Sequence, residues 1–167
     1  MNTNHRSFNI WIALFAFAFS SCVSVSLQKT EAISAKDVNF EQPALPFESI
    51  SLNSADKTWI SKASGNTISY LSDCQKNSDP TLEQMQNETT SVVDNLNVLE
   101  INSIPFNSRT GLTSTVEGMV DGVPVKMKVL VFKKNTCNYT LTFAGVKKHF
   151  DQELKYFEQF QSSFKAP

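Results

Sequence analysis

The chain has 167 residues, 15 Lys+Arg against 16 Asp+Glu, and a formal net charge of −1. With 41% hydrophobic and 19% charged residues it can fill the core of one domain, which excludes wholesale disorder, and its even charge balance is unlike that of a nucleic-acid binder. Three Cys and two His leave little material for a metal site, so no cofactor is expected, and 13 Phe against two Trp and three Tyr mark the aromatics as core material.

The N-terminus places a short polar start carrying Arg6 before an apolar run from Ile10 to Phe19, then the small residues Ser20 and Ser21. This is the three-part layout of a secretory signal over residues 1–21, and the run is too short for a permanent span, which needs about 20 apolar residues. Phe19-Ser20-Ser21-Cys22 resembles a bacterial lipobox. The resemblance implies cleavage before Cys22 and lipidation of its thiol and new amino group; an ordinary secretory signal with an incidental Cys is the alternative. Each buried acyl methylene contributes about 0.8 kcal/mol, so several chains would hold the protein on a membrane. Val23 rather than Asp follows the Cys, which by the sorting rule of such proteins favours the outer membrane in a cell that has one. Loss of residues 1–21 removes Arg6 and no acid, leaving 14 basic residues against 16 acidic ones, a charge of −2.

Residues 22–46 then read as the lipidated Cys and a flexible tether rich in Ser, Thr, Gln and Lys, with Pro43 and Pro46 near its end. A globular domain is expected over 47–167. Phe47–Leu52 is a candidate strand, and Thr58–Ala63 with Thr67–Asp73 flank the turn signal Ser64-Gly65-Asn66. Trp59 is a core residue on this pattern. Asp79 suits an N-cap and Pro80 a first helical position, and Leu82, Met85, Val92 or Val93 and Leu96 recur at helical spacing, so a helix is expected to end near Asn95–Asn97.

Val98–Phe106 reads as a strand, followed by a hairpin in which Gly111–Val120 and Val123–Lys133 flank Asp121-Gly122. That turn sets Val120 opposite Val123 and Glu117 opposite Lys126. Leu112, Ser114, Val116, Gly118 and Val120 then share a buried face with Val131, Val129, Met127, Val125 and Val123. Thr113, Thr115, Glu117, Lys126 and Lys128 fall on a face expected to be largely wet. A last strand starts at Cys137. Phe150, Leu154, Phe157, Phe160 and Phe164 define one stripe of a closing helix over Lys147–Phe164. Hairpin strands and two amphipathic helices make an α+β fold, an antiparallel β-sheet covered by both helices.

The early hairpin with Trp59, the helix after Pro80, the meander around Asp121-Gly122 and the closing Phe157-Glu158-Gln159-Phe160-Gln161-Ser162-Ser163-Phe164 together resemble the PsbP/DcrB-like α/β/α sandwich families over about residues 47–165. The resemblance implies a domain without enzymatic activity that binds or assembles proteins, several members being lipid-anchored. Fold alone does not fix function.

Export would put Cys74 and Cys137 in an oxidising space, where they form an even pair once Cys22 carries lipid. They stand at the end of one strand and the start of another. If those ends are neighbours, a disulfide forms and contributes roughly 4 kcal/mol in the chain-entropy picture; two buried free thiols are the alternative. Signatures of catalysis are missing: the mature chain keeps only His149, no Gly-x-Ser-x-Gly occurs, and no Gly-rich phosphate loop is present. The first expectation is therefore a non-enzymatic envelope lipoprotein, held to the membrane by its lipid and binding an envelope protein. Its contact surface would be the face bearing Thr113, Thr115, Lys126 and Lys128 with the loop Asn102–Arg109. A small-molecule or lipid carrier, using a cleft between a helix and the sheet, is the second. A hydrolase working near His149 is the third.

Overall fold

A computed structural model of the chain describes residues 33–75 and 79–167. The signal, Cys22 and the first part of the expected tether lie outside the described residues. The elements are β1 (Phe47–Ile50), β2 (Lys57–Ser61), β3 (Thr67–Asp73), α1 (Leu82–Thr90), β4 (Asp94–Phe106), β5 (Arg109–Val120), β6 (Val123–Lys134), β7 (Cys137–Val146) and α2 (Lys147–Ser163). All strand pairs are antiparallel, in the order β1-β2-β3-β7-β6-β5-β4, so the last strand of the chain is the middle strand of the sheet.

Three two-residue turns build the long meander, and each needs both residues at positive φ: Asn107 and Ser108, Asp121 and Gly122, Asn135 and Thr136. Such turns match the right-handed strand twist, and Asn, Asp and Gly tolerate that backbone best. The Asp121-Gly122 register is as expected, with Val120 opposite Val123 and Glu117 opposite Lys126. Val98–Phe106 is a strand as expected, within β4, so the segment Asn102–Arg109, expected as a contact loop, is strand except at Asn107 and Ser108, which turn the chain.

Alternate residues of β6 enter two separate cores. Met127, Val129 and Val131 pack with Leu112, Val116 and Met85 of α1. Leu130 and Phe132 pack with Leu141, Phe143 and the α2 residues Phe150, Phe157 and Phe160. The helices thus cover opposite faces, and the face expected to be largely wet is dry along half its length because α2 lies on it. Phe143 meets Phe150 at 4.6 Å and Phe157 at 5.9 Å between ring centroids. Each such ring contributes about 1.5–3 kcal/mol by leaving water.

Helix α1 is shorter than expected. Thr81, not Asp79, caps it: the Thr81 hydroxyl accepts from the Gln84 amide at 3.2 Å while the Gln84 side chain accepts from the Thr81 amide at 2.8 Å. It stops at Thr90, and the chain enters β4 at Asp94. The domain also begins earlier than Phe47. Residues 33–46, expected as free tether, are packed against it. Asn39 bridges Lys165 through two backbone bonds of 3.0 and 2.7 Å. The Phe40 ring sits 5.3 Å from Tyr70 and 5.5 Å from Phe160. One aromatic ring settled among others outweighs a polar composition.

Candidate functional site

Register places Thr113, Thr115, Lys126 and Lys128 on one face, Thr115 directly opposite Lys128. The two Lys are not free there. Lys126 Nζ lies 2.8 Å from Asp151 and 5.0 Å from the centre of the Phe150 ring, and Lys128 Nζ lies 3.4 Å from Glu158. The acids belong to α2, so both cations are paired across the helix–sheet boundary, with the acids largely in water. Glu117 stands opposite Lys126 as expected but makes its ion pair with Lys147, at 2.7 Å, and that hydrogen bond is the main reason its carboxyl is pulled below the usual range. What remains of the expected contact face is a narrow band beside α2.

The strand ends that carry Cys74 and Cys137 are neighbours. Asp73 pairs with Asn138 across β3 and β7, so the next position on each side sets the two Cys opposite each other. They form a disulfide with Cα atoms 4.0 Å apart, closing a separation of 63 residues. Nearby, Tyr70 is pushed up to about 12, chiefly by burial and then by the charge of Asp56, and Tyr139 is raised by the same two causes. The Tyr139 hydroxyl is buried without a hydrogen-bond partner among the described residues.

Polar groups near His149 converge on the carboxylate of Glu153, and one of them also reaches the His149 carbonyl. Buried Glu153 accepts from Ser61 Oγ at 2.7 Å, Ser64 Oγ at 2.6 Å and Asn66 Nδ2 at 2.9 Å, and the same Asn66 nitrogen donates to the His149 carbonyl at 3.2 Å. Gly145 makes room for this: a Cβ there would lie 1.8 Å from Asn66 Oδ1. The cluster ties α2 to the β2–β3 hairpin and neutralises the desolvation cost of a buried acid. The clefts described next are lined by other residues. By its pattern Glu153 belongs with Asp151 on a solvated helix face; it is buried instead, because Ser61, Ser64 and Asn66 of the adjoining hairpin satisfy its oxygens.

A cleft of about 550 Å³ opens between α1 and the outer face of β3 and β7. Ser69 pairs with Thr142 and Leu71 with Thr140, so hydroxyls line its floor beside Leu71, while Met85 and Glu88 of α1 form a wall. It exists because α1 packs on β5 and β6 and leaves β3 and β7 uncovered on that side. A second cleft of about 570 Å³ near Cys137 is lined by Arg109, Lys133 and Lys134. Two of these cations are already engaged: Lys133 with Asp79 and the Pro80 carbonyl, Lys134 with the Ala166 carbonyl at 2.7 Å. No group of acids, His or Cys among the described residues has the arrangement to hold a metal.

The most open feature is β4. No residue of its 13 is buried, and Leu96, Val98, Leu99 and Ile101 are each exposed. It forms one edge of the sheet among the described residues. The sequence pattern marked a strand here but gave no hint that it would lie at an edge, because order within a sheet is set by long-range pairing.

No protein-family model and no curated sequence matches this chain at a significant level. Solved structures are similar to it. The solution structure of cyanobacterial PsbP (CyanoP) from Synechocystis sp. PCC 6803 is similar with a TM-score of 0.58 at 13% identity, covering 89% of this chain and 99% of that one. The crystal structure of LpqN, described as involved in cell envelope biogenesis of Mycobacterium tuberculosis, is similar with a TM-score of 0.48 at 9% identity, covering 81% of this chain and 82% of that one. The likeness to CyanoP establishes the architecture, a seven-stranded antiparallel sheet with two helices in the PsbP-like manner.

Proposed function

We propose that the chain is a non-enzymatic lipoprotein of the bacterial cell envelope, anchored through Cys22, whose domain binds a protein partner or helps to assemble a complex. The observation that carries the partner-binding half is β4, a long strand with four large apolar side chains in water. Apolar surface gathered on one face marks an interaction site, and Val98 and Ile101 share the face that α1 occupies. The Cys74–Cys137 disulfide supports an extracytoplasmic compartment, since such bonds persist where the surroundings oxidise. Signal layout, lipobox resemblance and Val23 support a lipid anchor, with the outer membrane as its destination. Intact mass of the membrane-bound protein tests the anchor. A chain starting at Cys22 with added acyl mass is expected; a chain still carrying Met1 and no lipid would defeat it.

The cleft beside α1 favours a second reading, a carrier of a small molecule or lipid. Its volume lies in the range of ligand sites, about 300–1,000 Å³. Glu88→Trp, at an exposed position of the same wall, would fill it from the helix side. A carrier would lose its cargo on that change, whereas a partner-binding protein would keep its partner.

A further inference from the structure

Hairpin geometry fixes which backbone groups of β4 point outward. Phe106 and Arg109 flank a two-residue turn and therefore bond each other directly, so alternate pairs, Ile104 with Gly111 and Asn102 with Thr113, also point inward. Ile101, Ser103 and Pro105 point away from β5. Pro105 sits where it costs no ladder bond, as proline does on an edge. On the far side of the irregularity between Val98 and Glu100, Val98 pairs with Val116 and is again outward-facing. Val98, Ile101 and Ser103 thus turn N–H and C=O groups to a side with no strand among the described residues, the irregularity at Val98/Glu100 separating the first from the other two.

Its side chains and charge say what would pair with it. Val98 and Ile101 project to the face that α1 occupies and are half exposed; Glu100 and Asn102 project to the other face, opposite Thr115 and Thr113. β4 itself carries Asp94 and Glu100 and has no Lys, Arg or His, and Glu100 Oε1 accepts only from Asn102 Nδ2 of the same strand, at 2.7 Å, among the described residues. Edges are commonly guarded by Lys, Pro or a bulge; here an irregularity at Val98/Glu100 and Pro105 guard the two ends, and Ile101–Ser103 between them carries no guard.

We propose that β4 is a strand-addition site, and that its occupant is an extended segment of a partner protein with apolar residues alternating with Lys or Arg. The apolar residues cover Val98 and Ile101, and the basic ones meet Glu100 across the strand pair. A second copy of this chain fits less well, because antiparallel pairing of two β4 edges adds acid to acid with no cation on either strand. The proposal rests on the partner-binding reading above and not on the lipid anchor.

The test is binding of synthetic decapeptides to the purified full chain. An alternating Val/Lys peptide is expected to bind and to perturb amides of β4, while an alternating Val/Glu peptide and a Val/Lys peptide N-methylated at alternate residues are expected to bind at least about tenfold more weakly. Ile101→Pro removes one outward N–H and leaves the β5 ladder intact, so it too should weaken binding about tenfold. Val98→Lys with Ile101→Lys changes only exposed side chains and should repel the basic peptide, while Lys62→Ala, remote from β4, should change nothing. Equal binding of the Glu or N-methylated peptide, or undiminished binding by both β4 variants, would overturn the proposal. So would a homodimer in sedimentation that Ile101→Pro dissolves. If the chain ignores the Val/Lys peptide while an envelope protein still cross-links to the native domain and survives both β4 variants, the edge is refuted and the partner-binding reading stands; if no envelope protein cross-links to any face of the domain, that reading fails as well.

Discussion

β7 and β4 belong to one sheet and live in different solvents. Tyr139, Leu141 and Phe143 of β7 are 0% exposed, with α2 over them and strands on both sides, whereas β4 has no buried residue and a strand on one side. The difference does not lie in apolar content, since β4 holds Leu96, Val98, Leu99, Ile101, Ile104 and Phe106. It lies in position: the chain spends its closing strand and helix on the middle of the sheet and leaves an earlier strand at the rim. Stability is therefore concentrated around β7, and β4 is left available for contact.

Substitutions should divide along that line. Phe160→Ala, in the ring cluster with Phe40, Trp59 and Phe164, is expected to cost about 3–5 kcal/mol in denaturant unfolding. Replacing Cys74 and Cys137 together by Ser is expected to cost up to about 4 kcal/mol and to leave β4 as exposed as before. Gly145→Ala drives a methyl into Asn66, whose side chain is held by Glu153 and His149, and should cost about 1–3 kcal/mol. Alkali offers a further contrast. The Tyr70 hydroxyl ionises near 12 in the folded chain against 10.0 when free, so its contribution is fully present below pH 10.0 and lost as the pH rises towards 12. Unfolding followed against pH should steepen over that window for the native chain and flatten in Tyr70→Phe. The smallest effect belongs to the rim: Ile101→Ser should stay within about 0.5 kcal/mol, and a larger loss would show that β4 is part of the core after all.

Much of this was legible in the residues. Asp121-Gly122 announced its hairpin and register because few residues accept that turn, and the Phe stripe from Phe150 to Phe164 announced a helix with one buried side. Cys74 and Cys137 stood at strand ends whose pairing the register completes. Illegible features depended on distant partners. Phe40 is a lone ring in a polar stretch until the aromatic cluster receives it. The end of α1 was overrun because Val92, Val93 and Leu96 continue a helical spacing, although Val93 is buried next to β5 and Leu96 belongs to β4. Lys126 and Lys128 looked like free surface until α2 brought Asp151 and Glu158 over them. The exposed edge itself followed from strand order, which no local pattern encodes.

Residue-resolved hydrogen exchange compares the two strands most directly. Amides of Tyr139, Leu141 and Phe143 should exchange only through global unfolding, and the outward amides of Ile101 and Ser103 should exchange freely until the Val/Lys peptide is added, then slow. Protection of Ile101 and Ser103 in the protein alone, or no change on adding peptide, would contradict the account.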